Sequence, residues 1–334
     1  VERARYTTES YRATEGRPMA IRRAQMLLHL VRSQHIAIEA GELIVGNRSQ
    51  LPRMGVIAPE GAVNWIDREL DILPTRPQDR FETTPAIIEE LRTEIFPYWQ
   101  GRTLEDTVAR RVPDDVAKAV RGRVFSLNQT DHAQGHILPD VEGWLNLGLD
   151  GLEQQIAAAA ARPGADPVFY AAAEIALQAA REYMTRYAAL ARTLAAEEDD
   201  PPRRRELQTI AESCAWLTRH PARTFHEALQ AVWFLFVLLQ IESNASSFSP
   251  GRFDQYMLPY LRADLAAGRL TQAQAQELLE SLWLKFNEIV LLRSSSSARY
   301  FAGFPIGFNL ILGGLTAAGE DATNLLSYMC LRAQ

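Results

Sequence analysis

Three short apolar runs, separated by long helical stretches, constrain the fold of this chain more than any other feature. They are GELIVGN at 41–47, VFSLNQT at 124–130 and FNLILGG at 308–314, and their apolar residues between turn residues are typical of buried strands. A buried strand must pair its backbone groups, because an unpaired buried N–H or C=O is costly. We therefore expect these strands to pair with one another or with further chain, as in an incomplete barrel.

The remainder of the chain has the pattern of helices. The Ala-rich stretch 141–198 predicts helices with a break at 162–164, and more helices are expected at about 203–241, 253–267 and 271–291. Thr271 is the predicted N-cap of the last of these. No Gly-rich turn leads from a strand into a helix, which argues against a dinucleotide-binding repeat. The predicted class is α/β and predominantly helical, in one continuous unit.

Charge and cysteine usage exclude several functional classes. A net charge of −6 gives no overall basic field for nucleic acid or for an anionic membrane. The longest apolar run, 228–241, is interrupted by Gln230 and Gln240 and predicts a buried core helix, not a membrane span. Cys214 and Cys330 each stand alone without metal-ligand spacing, so we expect no metal site and a reducing cytoplasm.

Three polar strings carry the candidate functional residues: NQTDHAQGH at 128–136, NASS at 244–247 and FAGF at 301–304. Asn128 offers a donor and an acceptor, which suits an alcohol, and the imidazole of His136 can give a proton near neutral pH. On the residues alone, Asn128 could equally cap a turn and His136 could bond backbone carbonyls. Arg252 and Asp254, after the second string, are predicted to form structural ion pairs.

Longer strings along the chain resemble one enzyme family. TESYRATEGRPMAIRRA, ELIVGNRSQLPR, WIDRELDILPTRPQDRF and SPGRFDQYM occur in order, and with them the chain resembles the first half of a glycyl radical enzyme of the pyruvate formate-lyase type. The resemblance implies a barrel of two half-barrels wrapped by helices. This chain would supply the N-terminal half-barrel, as a single partial domain over 1–334 truncated at its C-terminus. The thiyl cysteine and the radical glycine would lie in the missing half.

Within that family the resemblance is nearest to B12-independent glycerol and propanediol dehydratases. It implies that Asn128 and His136 hold the substrate hydroxyls and that His136 assists the loss of hydroxide as a catalytic proton donor. Ser247 keeps the position of a substrate-facing serine, whereas Ser246 replaces a histidine of the dehydratases. Phe304 falls where the family places an aromatic pocket wall, which is tyrosine in the glycerol enzyme.

The expected reaction is therefore the radical dehydration of a small diol such as glycerol or propane-1,2-diol. The change at Ser246 keeps other family reactions open: a decarboxylase, a C–N or C–S lyase, or a formate acetyltransferase. A non-catalytic half-barrel that binds a partner chain is the alternative outside enzymes. No bound cofactor is expected, because a separate radical-SAM activating enzyme would install the glycyl radical. The other expected partners are a small polar substrate, the missing C-terminal half and a second copy in a homodimer.

Overall fold

The computed structural model describes residues 1–127, 130–131, 136–303 and 306–334. Most of these residues are helical. The helices are α1 (Glu2–Ala13), α2 (Met19–Ser33), α3 (Asn64–Glu69), α4 (Pro85–Glu90), a π-helical turn (Leu91–Ile95), α5 (Phe96–Trp99), α6 (Leu104–Arg111), α7 (Asp114–Arg121), α8 (Val141–Ala160), α9 (Pro167–Glu197), α10 (Pro201–Leu217), α11 (Phe225–Ser243), α12 (Phe253–Ala266), α13 (Gln272–Glu288), α14 (Ser295–Ala298) and α15 (Leu325–Ala333).

The helix starts follow from local capping chemistry. Asp166 caps α9 by accepting the backbone N–H of Val168 at 2.9 Å, just after the predicted break. Thr271 forms a capping box with Gln274 at the start of α13. The predicted helices of the second half of the chain and the Thr271 cap are thereby confirmed.

Helix α11 forms the centre of the core. Its sequence, FHEALQAVWFLFVLLQIES, is apolar on every side, and it packs against α8, α10, α12 and α13. The helix is long and apolar enough to cross a membrane, but 78% of its most apolar stretch is buried inside the fold. It is a core helix, as the sequence predicts.

The strand predicted at 41–47 is wrong, because this stretch contains a turn at Gly41 and a bend at Leu43 and Ile44, and no described segment forms a ladder with it. Side chains of α11 bind its backbone instead. The Gln230 amide donates to the Val45 carbonyl at 2.7 Å and accepts the Val45 N–H at 2.8 Å, and the Trp233 indole donates to the Gly46 carbonyl at 2.8 Å. A glutamine side chain here provides the paired hydrogen bonds that a neighbouring strand would give.

The other two predicted strands are also not formed as ladders. The described part of 124–130 is not buried, since Val124 is 77% exposed, and no described segment pairs with it. The run 308–314 ends in the turn of Gly313 and Gly314, and the residues before that turn make one isolated bridge, between Leu310 and Gly251. Among the described residues the half-barrel therefore appears as extended segments with isolated bridges, and the observed class is predominantly helical.

Candidate functional site

Three extended segments, distant in the sequence, lie side by side at the edge of the helical core. We call them segment A (136–138), segment B (246–251) and segment C (306–311). Ile137 of segment A bridges to Phe248 of segment B, and Gly251 of segment B bridges to Leu310 of segment C, both in the parallel sense. Segment B therefore lies between the other two, and the polar strings singled out from the sequence meet in one place.

Ser247 connects all three segments. Its backbone carbonyl accepts the N–H of His136 at 2.6 Å, and its hydroxyl donates to the carbonyl of Gly307 at 2.7 Å. The residue is 2% exposed. Its hydroxyl keeps a lone pair that can accept a further hydrogen bond. Ser247 thus sets the register of its two neighbours.

His136 is exposed and has a φ of 62°. This left-handed conformation is uncommon for a residue other than glycine, and sparsely populated backbone states cost on the order of 1–3 kcal/mol. The hydrogen bond to Ser247 helps to hold it. The imidazole is accessible from outside the chain, directly beside Ser247 in the register of segments A and B.

Ser246 differs from Ser247 in its environment. Its backbone carbonyl accepts the N–H of Gly307 at 3.3 Å, so it also belongs to the junction of segments B and C. The residue is 8% exposed, and its hydroxyl is buried without a hydrogen-bond partner among the described residues. A buried hydroxyl in that state costs about 1–3 kcal/mol, so a bound polar group would stabilise it.

Two of the predicted site residues, Asn128 and Phe304, lie outside the described residues. Their roles remain predictions. His136, Ser246 and Ser247 are the predicted site residues whose positions are described, and the structure brings all three together.

Arg252 and Asp254 have a role that the sequence reasoning missed. The ion-pair prediction is wrong, because neither forms one with a described residue; both bind the backbone of the turn after segment C. Arg252 donates to the carbonyls of Gly313 and Leu315 at 2.9 and 3.0 Å, and the buried Asp254 carboxylate accepts the N–H of Gly313 at 2.8 Å. The signal in the sequence was the pair Gly313–Gly314, whose positive φ angles of 64° and 80° make that turn.

The three segments combine polar groups with apolar side chains such as Ile137, Phe248 and Ile311. They carry serine hydroxyls, an asparagine amide and an imidazole, and none contains Lys, Arg, Asp or Glu. In the described ranges, no group of three His, Cys, Asp or Glu side chains is arranged to hold a metal ion. These segments can offer hydrogen bonds from their hydroxyl, amide and imidazole groups.

The two cysteines lie on helices, Cys214 in α10 and Cys330 in α15. Both thiols are buried and free. Burial raises the pKa of Cys330 to about 12, and it raises the pKa of Cys214 as well. Both are therefore buried, protonated thiols.

The sequence profile of the pyruvate formate lyase-like family matches residues 1–334. The chain is 37% identical to an isethionate sulfite-lyase of Nitratidesulfovibrio vulgaris, covering all of this chain and 42% of that protein. It is 35% identical to a probable dehydratase of Escherichia coli, covering 99% of this chain and 42% of that protein.

Solved structures agree with this assignment. The glycerol-bound B12-independent glycerol dehydratase of Clostridium butyricum superimposes with a TM-score of 0.95 at 36% identity, over 99% of this chain and 43% of that chain. A structure titled for 1,2-propanediol dehydration in Roseburia inulinivorans gives the same values. The chain spans less than half the length of these relatives. It belongs to the pyruvate formate lyase-like family of glycyl radical enzymes and corresponds to their N-terminal portion.

Proposed function

We propose that the complete protein is a glycyl radical dehydratase that removes water from a small diol such as glycerol or propane-1,2-diol. Segments A, B and C form one wall of its substrate site. The observation that carries the proposal is the position of His136. It is an exposed imidazole on segment A, fixed by its backbone to Ser247 on segment B.

The proposed reaction converts a 1,2-diol into an aldehyde and water. A cysteine radical in the part of the protein beyond this chain takes a hydrogen atom from C1, and a base there removes the C1 hydroxyl proton. The C2–O bond then breaks, and the hydroxide leaves as water with a proton from His136. The cysteine returns a hydrogen atom to C2. A positioned general acid contributes about 10²- to 10⁴-fold to such a step.

The remaining site residues have supporting roles in this proposal. Asn128 and His136 hold the two hydroxyls, Ser247 aligns segments A and C, and Phe304 forms an apolar wall. Ser246 faces the same junction and replaces a larger, titratable group of the dehydratases. The smaller side chain would leave more room beside the diol.

Cleavage of a C–S bond is the second candidate, favoured by the 37% identity to an isethionate sulfite-lyase. Such a substrate carries a sulfonate, whose recognition calls for cationic groups. The absence of Lys and Arg from segments A, B and C favours the uncharged diol.

The proposal includes partners for the complete protein. A radical-SAM activating enzyme would generate the glycyl radical, and the C-terminal half would close the barrel over segments A, B and C, in a homodimer. A reducing cytoplasm under anaerobic conditions suits a stored radical and agrees with two free cysteines.

The test is a substrate panel with the full-length polypeptide, activated anaerobically by its activating enzyme and S-adenosylmethionine. Electron paramagnetic resonance first quantifies the glycyl radical. Glycerol, propane-1,2-diol, isethionate and trans-4-hydroxyproline are then supplied separately. The proposal predicts aldehyde from a diol and no sulfite from isethionate. Sulfite release from isethionate, with no aldehyde formed from glycerol or propane-1,2-diol, in enzyme that holds the radical would replace it with the second candidate.

A further inference from the structure

Segment C has two faces with different environments. Phe308 and Leu310 pack half-buried against the helical core, and the Phe308 ring stacks on Phe286 with 4.6 Å between ring centroids. Asn309 and Ile311, which alternate with them, are exposed. Because successive side chains of an extended segment point to opposite faces, Asn309 lies on the face turned away from the helices.

The side chain of Asn309 borders the same space as Ser247. Gly307 lies between them on that face, and a Cβ added to Gly307 would overlap the hydroxyl of Ser247 and stand 3.7 Å from Nδ2 of Asn309. The Ser247 hydroxyl therefore occupies the place that a side chain of residue 307 would take, and the Asn309 amide lies next to that place.

The backbone of Asn309 is fixed while its side chain is not engaged. Its carbonyl accepts the N–H of Gly251 at 3.4 Å, and Gly251 in turn accepts the N–H of Ile311 at 2.7 Å. Arg252 and Asp254 hold the turn that follows. In the described part of the chain the Asn309 amide makes no hydrogen bond. Segment B thus holds the backbone of Asn309, and the exposed amide keeps its donor and acceptor available to a ligand.

We propose that Asn309 is a substrate-binding residue, and that its amide and His136 contact the substrate from the two sides of Ser247. This inference rests on the proposed function, because it names a further contact of the same site. The amide supplies both a donor and an acceptor without charge, which fits a hydroxyl group of the diol. Gly307 is needed because any side chain there would overlap the Ser247 hydroxyl and displace it.

The test compares Asn309→Ala and Asn309→Asp with wild type in the full-length, activated enzyme. Asn309→Ala removes both hydrogen-bonding functions, and Asn309→Asp keeps the shape but removes the donor. Asn287→Ala is the matched control, because Asn287 is an exposed asparagine at the end of α13. Radical content is measured first, so that a defect in folding or activation is separated from a defect in substrate binding.

We expect Asn309→Ala to retain the glycyl radical and to lower kcat/KM at least tenfold, mainly through KM, with Asn309→Asp also impaired and Asn287→Ala unchanged. Kinetics of Asn309→Ala within twofold of wild type would overturn the inference.

If the wild-type enzyme holds the radical but converts no diol, the proposed function is wrong, whatever the role of Asn309. Asn309 is then judged from a crystal structure of the full-length protein. An amide that faces the barrel cavity supports the inference, and an amide covered by the C-terminal half overturns it.

Discussion

The backbone N–H of His136 donates a hydrogen bond to the backbone carbonyl of Ser247, with 2.6 Å between nitrogen and oxygen. This bond joins two polar strings that are more than a hundred residues apart in the sequence. It places the candidate proton donor of segment A beside the residue that also binds segment C. The position of the imidazole therefore depends on segment B as much as on its own loop.

Replacing His136 tests the proton-donor role. His136→Gln keeps hydrogen-bonding capacity but cannot supply a proton, so we expect kcat/KM for the diol to fall about 10²- to 10³-fold with radical content unchanged. His35→Gln, at an exposed histidine after α2, serves as the control and should behave as wild type. Normal turnover in His136→Gln would remove this residue from the mechanism.

Adding a methyl group at Gly307 tests the junction of segments B and C. In Gly307→Ala the new Cβ would overlap the Ser247 hydroxyl, so the bond from that hydroxyl to the Gly307 carbonyl should break. We expect a loss of about 1–3 kcal/mol in stability, as for other overpacked sites, and a fall in activity. Thermal unfolding of the full-length protein measures the first effect, with Gly122→Ala as control. An unchanged melting temperature would mean that segments B and C accommodate the added methyl group without loss of stability.

Gln230, whose side chain hydrogen-bonds the backbone of Val45, contributes to the stability of the fold. Gln230→Leu would leave the buried N–H and C=O of Val45 without their partners, at about 1–3 kcal/mol for each group. We expect a melting temperature several degrees lower. Gln154→Leu, on an exposed position of α8, should have little effect. Equal melting temperatures for the two variants would show that the stretch 41–47 is held by other contacts.

His226 predicts a dependence of stability on pH. Burial lowers the pKa of His226, whose Nε2 lies 2.8 Å from the Leu43 carbonyl, and the nearby carboxylates of Glu227 and Asp264 oppose this shift without cancelling it. Below about pH 6.5 the unfolded chain binds a proton there that the folded protein does not. Stability is therefore present above that pH and is lost as the pH falls, by up to about 1.4 kcal/mol per pH unit.

Denaturant unfolding between pH 7.5 and 5.5 measures how the free energy of unfolding depends on pH. His226→Gln should flatten the acid side of the stability profile relative to wild type, whereas His35→Gln should not. An acid side that is the same in wild type and in His226→Gln would contradict the lowered pKa of this imidazole.

The apolar edge of segments A and C predicts association of the isolated chain. Leu138 and Ile311 flank Gly251 and are 63% and 55% exposed, and Leu315 follows at 63%. Exposed apolar side chains on open extended edges favour self-association. Residues 1–334 expressed alone should form dimers or aggregates in analytical ultracentrifugation. A monodisperse monomer that unfolds cooperatively would contradict the expected self-association through segments A and C.

The helices were predictable because their signals are local. The caps Asp166 and Thr271 and the break at 162–164 can be read from neighbouring residues. The stretch 41–47 was misread for the opposite reason. Its β-branched residues predict a strand, but its hydrogen-bond partners are Gln230 and Trp233, far away in the sequence, and a glutamine that substitutes for a strand has no local signature.

In the candidate site, too, some features are predictable from the sequence and others depend on distant contacts. His136, Ser246 and Ser247 were identified from the resemblance, and the fold brings them together. The backbone roles of Arg252 and Asp254 and the exposed face of Asn309 were not identified. They depend on how segment C lies against segment B, and that register is set by contacts across about sixty residues of intervening chain.

A crystal structure of the full-length protein with glycerol bound would test most directly that segments A, B and C form the substrate wall. We predict glycerol in front of Gly307, with one hydroxyl within hydrogen-bond distance, about 2.6–3.2 Å, of the His136 imidazole. Glycerol bound elsewhere in the barrel, with His136 packed against the C-terminal half, would contradict the account.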